Sequence, residues 1–210
     1  MSARPSYRDA IALAMTGASG AQYGLRLLER LLAAGERVYL MLSKPAQVVI
    51  GSETDLKLPG RAAEIERYLA GIYGGATGQL SLFGPEEWTS PLASGSATAR
   101  AMVVCPCSMG TVASLAQGAS RTLIERAGDV MLKERRPLIV VPRETPFSTI
   151  HLENLLRLSQ AGALILPASP GFYHRPSRAE DLVDYIVARV LDHLGVEHGL
   201  GPRWGVDEPA

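Results

Sequence analysis

Hydroxyl, glycine and cationic residues gather in three short segments of this chain: TGASGAQYG from Thr16, CPCSMGTVA from Cys105 and PRETPFS from Pro142. Each follows an apolar run, Ile11 to Met15, Met102 to Val104 and Leu138 to Val141. In an open α/β sheet, turns at the carboxyl ends of strands are where ligands bind, and the helix start that follows attracts phosphate. The pattern points to a phosphate-bearing ligand of nucleotide type. Gly17, Gly20 and Gly24 do not have the G-x-G-x-x-G spacing, and the second apolar run ends in Ser43 where a ribose-binding acid belongs, so a dinucleotide is disfavoured. A mononucleotide or a flavin suits the short loop with its Ser19 hydroxyl, and a ligand-free strand-to-helix crossover suits it equally well. Ser108 and Thr111 can hold a phosphate or simply cap a helix, the commoner use.

Cations form the next set. Arg126 and Lys133 lie seven residues apart on one expected helix, so they share a face about 10 Å apart along its axis. A solvated face explains them without a ligand. Arg143 and Glu144 stand at a strand end and are aimed at the ligand crevice. Arg189 follows Tyr185 by four residues at the edge of an apolar stripe, where its stem can snorkel or reach a buried anion. Cys105 and Cys107 flank one proline, a spacing of neither zinc pairs nor redox pairs, and read as small buried residues. His151, His174, His193 and His198 show no metal spacing.

Positioning these groups requires alternating strands and helices. Strands are expected at 11–15, 37–42, 80–83, 101–105, 138–142 and 163–166, with helices at 21–33, 45–50, 61–72, 110–117, 123–135, 149–160 and 178–194. This is an α/β chain with a Rossmann-like, doubly wound, mainly parallel six-stranded sheet in three layers. One domain spans 1–210, with a C-terminal extension from about 195. The last helix is expected to open with a capping box of Ser177 and Glu180, and its stripe Leu182, Ile186, Val190 and Leu194 to face the core. With 21 basic and 21 acidic residues and no basic block, nucleic acid is an unsuited partner. No apolar run reaches the roughly 20 residues of a membrane helix and the start lacks a signal-peptide core, so the expectation is a soluble, cytoplasmic protein.

In order along the chain, TGASGAQYG, SGSATARAMVVCPCSMGTVASLAQG, LIERAGDVMLKERRPLIVVPRETP, HLENLLRL and PGFYHRPS resemble the flavin prenyltransferases, the UbiX/Pad family, from about Ile11 to about Trp204. Gly110 stands where many members have lysine, and Gly171 where alanine is usual. The resemblance implies a dodecamer of trimers that binds FMN at a subunit interface. It also implies transfer of the dimethylallyl group of dimethylallyl monophosphate to N5 and C6 of reduced FMN, yielding the cofactor of UbiD-type decarboxylases. By position, Gly17, Ala18, Ser19, Ser43, Ser108, Met109, Gly110, Thr111 and Arg143 would hold FMN. Tyr173 and Arg189 would bind the prenyl phosphate, with Arg126, Lys133 and Glu144 as further phosphate-pocket residues and Trp204 closing the site. Ser19 and Glu53 would manage the proton at N5, with Glu144 as a further candidate base. The cations would take the place of the magnesium run D-D-x-x-D, which this sequence lacks, provided neighbouring subunits bring them together. The rivals are a non-enzymatic FMN carrier or regulatory subunit, and a flavin-dependent decarboxylase of the cysteine-oxidising kind. The latter's P-x-M-N-x-x-M-W segment and early histidine are missing.

Overall fold

The computed structural model describes residues 9–201. Six strands run parallel in the order β3-β2-β1-β4-β5-β6: β1 (Ile11–Met15), β2 (Val38–Leu42), β3 (Leu80–Phe83), β4 (Ala101–Cys107), β5 (Leu138–Pro142) and β6 (Leu164–Ile165). Ile11 pairs with Val38 on one side and with Ala101 on the other. The helices are α1 (Ala21–Ala33), α2 (Lys44–Glu53), α3 (Ala62–Tyr73), α4 (Met109–Ala116), α5 (Leu123–Lys133), α6 (Thr149–Gln160) and α7 (Ala179–Leu194).

Side chains alternate across a strand, so a run of five buried residues serves two cores. Ile11, Leu13 and Met15 of β1 pack with Leu28 and Leu31 of α1, Ile50 of α2, Leu69 of α3 and Val190 of α7. Ala12 and Ala14 face the other way, with Val112 of α4, Met131 of α5 and Leu158 of α6. Because α1 and α4 cover opposite faces while β1 and β4 are neighbours, the connections leaving these two strands diverge to opposite sides of the sheet, which opens a crevice at their carboxyl ends.

The expected elements are all present, and three ends differ in ways that bear on the site. Helix α2 runs three residues past the expected end and so carries Glu53, while β4 continues to Cys107 with an irregular register after Val104. The expected capping box of Ser177 and Glu180 is corrected. Helix α7 starts after Arg178, and it is Asp181 whose carboxylate reaches back to the N–H groups of Ser177 and Arg178, at 2.9 and 3.0 Å. Glu180 is exposed. Residues 196–201 fold back on the domain, with Val196 buried and Leu200 packed on the same core. Among the described residues no helix is long and apolar enough to cross a membrane, and no cluster of His, Cys, Asp or Glu could hold a metal ion.

Candidate active site

The first turn is built for close approach. A Cβ on Gly24 would meet the Cys105 carbonyl oxygen at 2.3 Å, and one on Gly17 would meet Pro45 Cβ at 2.5 Å, so the glycines let α1 press on β4 and let the loop pass α2. Thr16 ties the two crevice walls together: its hydroxyl donates to the Pro106 carbonyl at 2.9 Å and accepts from the Ser108 N–H at 2.7 Å. Gly20, at φ 102, offers α1 no side-chain cap. The cap comes from Glu53, whose Oε2 accepts the N–H groups of Gly20 and Ala21 at 2.8 and 2.9 Å, and whose carboxylate also holds the Ser19 hydroxyl. Arg143 Nε donates to the Ser19 carbonyl at 3.0 Å. Partial burial pushes the Glu53 carboxyl up, but the Ser19, Ala21 and Gly20 bonds and the Arg143 charge outweigh it and hold the group below its ordinary value. Ser19, Glu53 and Arg143 line a cavity of about 1010 Å³ whose apolar wall includes Tyr23, Ala168 and Leu182.

Two further helix starts open at the same end of the sheet. Ser43 caps α2 through the Ala46 N–H at 3.1 Å. Ser108 caps α4, its hydroxyl lying 3.4 Å from the Thr111 N and 3.1 Å from the Thr111 hydroxyl. The Met109 and Gly110 N–H groups belong to the first turn of that helix and have no intrahelical partner. A second cavity, of about 700 Å³, is walled by Tyr173, His174, Tyr185 and Arg189, and Asp184 borders both cavities. The Tyr173 ring meets Tyr185 edge-on at 5.9 Å, and a hydrogen bond between them raises the Tyr173 phenol above its ordinary value. His174 stacks on Tyr185 with both ring nitrogens buried and without a partner.

A doubly wound sheet of this order serves many nucleotide-type ligands, so sequence likeness decides between them. The model of the Flavoprotein family matches residues 2–191. Flavin prenyltransferase UbiX of Pseudomonas aeruginosa is 56% identical over 197 residues, covering 94% of each chain. The chain belongs to the UbiX flavin prenyltransferase family. The Halalkalibacterium halodurans member is 45% identical, with 95% of each chain covered. Among solved structures, AnUbiX (PadA1) in complex with FMN and dimethylallyl pyrophosphate superposes with a TM-score of 0.84 at 39% identity, covering 96% of this chain and all of that one. A dodecameric FMN-dependent UbiX-like decarboxylase of Escherichia coli O157:H7 gives 0.82 at 39% identity over 93% of this chain and 98% of that one.

Of the residues expected from the family pattern, Gly17, Ala18, Ser19, Ser43, Glu53, Ser108 to Thr111 and Arg143 stand at the carboxyl end of the sheet. Tyr173 and Arg189 stand together in the adjoining cavity. Glu144 sits beside Arg143, its carboxylate accepting the Thr145 N–H at 3.1 Å. Arg126 and Lys133 are elsewhere. Arg126 Nε donates to the Ala93 carbonyl at 3.0 Å, and Lys133 pairs with Glu134 at the end of α5, beside Gly95 and close to where β5 begins. The chain by itself does not bring these two to the crevice. Trp204 lies outside the described residues. Cys105 and Cys107 are buried, and burial raises both thiols. Sequence reasoning named Thr16, directly after a strand, and Tyr185, one helical turn before Arg189, without giving either a role. A side chain at Gly110 would have open space, so nothing in the structure explains that departure, whereas a Cβ at Gly171 would meet the Tyr173 ring at 3.0 Å.

Proposed function

We propose that this chain moves the dimethylallyl group of dimethylallyl monophosphate onto reduced FMN. The observation that carries the reading is the Ser19, Glu53 and Arg143 cluster opening into one cavity, with Tyr173 and Arg189 walling the next and Asp184 between them. The residues fit an FMN: a cavity with an apolar wall for the ring, and the hydroxyls and N–H groups of Ser43, Ser108, Met109, Gly110 and Thr111 for the phosphate. The start of α1 is satisfied by Glu53, so its anion contact goes to the protein's own carboxylate. Reduced FMN held there would supply the nucleophilic ring that receives the prenyl group.

The chain's residues orient, stabilise charge and move protons. Arg189 and the Tyr173 phenol hold the donor's phosphate, a contact made as fully in the bound ground state as during ionisation, so it contributes to donor affinity. The Ser19 hydroxyl donates a hydrogen bond to the Glu53 carboxylate, which leaves the serine lone pairs turned toward the cavity, where they would accept from N5–H of a bound reduced flavin. Glu53, held anionic by two backbone N–H groups, fixes that orientation. The reading includes a homo-oligomer, and a dodecamer as in the Escherichia coli relative. Leu152 and Leu156, one turn apart on α6, are 53% and 59% exposed, an apolar strip suited to a second copy. Such a neighbour would also deliver Arg126 and Lys133. A UbiD-type decarboxylase is the proposed consumer of the product, and the two free thiols suit a reducing cytoplasm.

The test is anaerobic incubation with reduced FMN and dimethylallyl monophosphate or its diphosphate, followed by mass spectrometry of the released flavin. One added five-carbon unit from the monophosphate is expected. Unmodified FMN that stays bound with either donor would favour the carrier reading.

A further inference from the structure

Behind Arg189 stands a short relay. Its Nη1 donates to Asp192 Oδ2 at 2.8 Å, and the other oxygen of Asp192 lies 3.2 Å from His198 Nε2. The Leu200 N–H donates to His198 Nδ1 at 3.2 Å. With Nδ1 accepting, the neutral ring carries its proton on Nε2 and donates it to Asp192. Exposure rises outward along the relay, from 5% for the His198 side chain through 22% for Asp192 to 50% for Arg189. The anchor is therefore buried and the guanidinium is at the cavity wall.

The backbone accounts for this arrangement. Gly195 ends α7 at φ 67, the left-handed region. Its N–H bonds the Asp192 carbonyl at 3.1 Å and the Val196 N–H bonds Leu191 at 3.0 Å. Val196 and Leu200 then pack on the core, which brings the intervening His198 back beside the last turn of α7. A half-exposed arginine loses rotamer freedom when it is fixed. Holding Nη1 beforehand removes part of that cost and leaves the Nε and Nη2 edge, the fork that grips an oxyanion with two parallel bonds.

We propose that Asp192, anchored by His198, is a positioning residue that presents the Arg189 fork to the phosphate of the prenyl donor. This rests on the reading of Arg189 as a donor-phosphate group. A carboxylate that merely sat near the phosphate would repel it, so its removal would tighten donor binding. Positioning predicts the reverse. In Asp192→Asn the amide oxygen can serve Arg189 or His198 but not both, because the remaining NH₂ faces a donor in either orientation.

The experiment measures donor KM, kcat at saturating dimethylallyl monophosphate and FMN affinity for the wild type, Asp192→Asn, His198→Phe and Arg189→Ala. Asp192→Asn should raise KM about tenfold with kcat and FMN affinity within about twofold. His198→Phe should raise it about threefold by the same route. If Arg189→Ala raises KM while Asp192→Asn leaves it unchanged or lowers it, the positioning role is overturned and the donor-site reading stands. If Arg189→Ala leaves KM unchanged, the donor-site reading fails and takes the proposal with it. Should Asp192→Asn fail to bind FMN, His198→Phe decides: the threefold rise supports the relay, and an unchanged KM overturns it.

Discussion

The crevice around Ser19 and the cavity around Arg189 hold their functional groups by different means. In the crevice, Glu53 is fixed by backbone N–H groups of α1, Arg143 by a backbone carbonyl, and Thr16 by backbone on both sides. In the donor cavity, Arg189 is held by a side chain, and Tyr173, 49% exposed, leans on Tyr185. Backbone partners come from packed strands and helices and move little, whereas side-chain partners pay rotamer entropy. The half proposed to handle the flavin ring is thus the stiffer, and the half proposed to admit and release a small phosphate ester is the more adjustable.

The largest expected effect breaks the stiff half. Gly24→Ala drives a Cβ into the Cys105 carbonyl, a backbone atom that cannot turn aside, and should cost about 2 kcal/mol of stability despite alanine's better helix propensity. Chemical denaturation would measure it, and an unchanged midpoint would mean that α1 is free to shift. Next comes an acid-limb effect. Glu53 sits below the ordinary carboxyl value of 4.5, so its stabilisation is complete above that value and is lost as pH falls through the lower folded one. The stability difference between wild type and Glu53→Gln, followed by urea unfolding from about pH 6 to about pH 3, should therefore shrink toward acid. A difference constant with pH would separate Glu53 from the N–H groups it is seen to accept. The smallest effect belongs to the adjustable half: Gly171→Ala should displace the Tyr173 ring and change donor KM by less than about threefold, since half-exposed side chains can give way.

The strands and helices, in their order along the chain, were legible because their signals are periodic and local, whereas the order of strands in the sheet was not. The apolar runs from Ile11, Val38, Ala101 and Leu138 mark the central strands, and Ser43 and Ser108 mark the helix starts that follow. Glu53 was legible only through the family pattern, because the groups it accepts lie more than 30 positions earlier, and only the packing of α2 beside α1 joins them. The capping box was placed one residue early because Ser177, Arg178 and Asp181 all compete for the helix start. The Asp192 and His198 pair depends on the reversal at Gly195, which spacing alone does not reveal. Arg126 and Lys133 were grouped with Glu144 by family pattern on the condition that neighbouring subunits bring them together, and within one chain Arg126 holds the Ala93 carbonyl and Lys133 pairs with Glu134 instead.

The account divides labour between the two halves, and single-turnover kinetics of prenyl transfer test that division most directly. Glu53→Gln should keep FMN bound and remain about a hundredfold slow at every donor concentration. Arg189→Ala should be slow at low donor and recover most of the wild-type rate at saturation. If both variants instead lost the same parameter, whether saturating rate or donor affinity, the division between a rigid flavin side and an adjustable donor side would be contradicted.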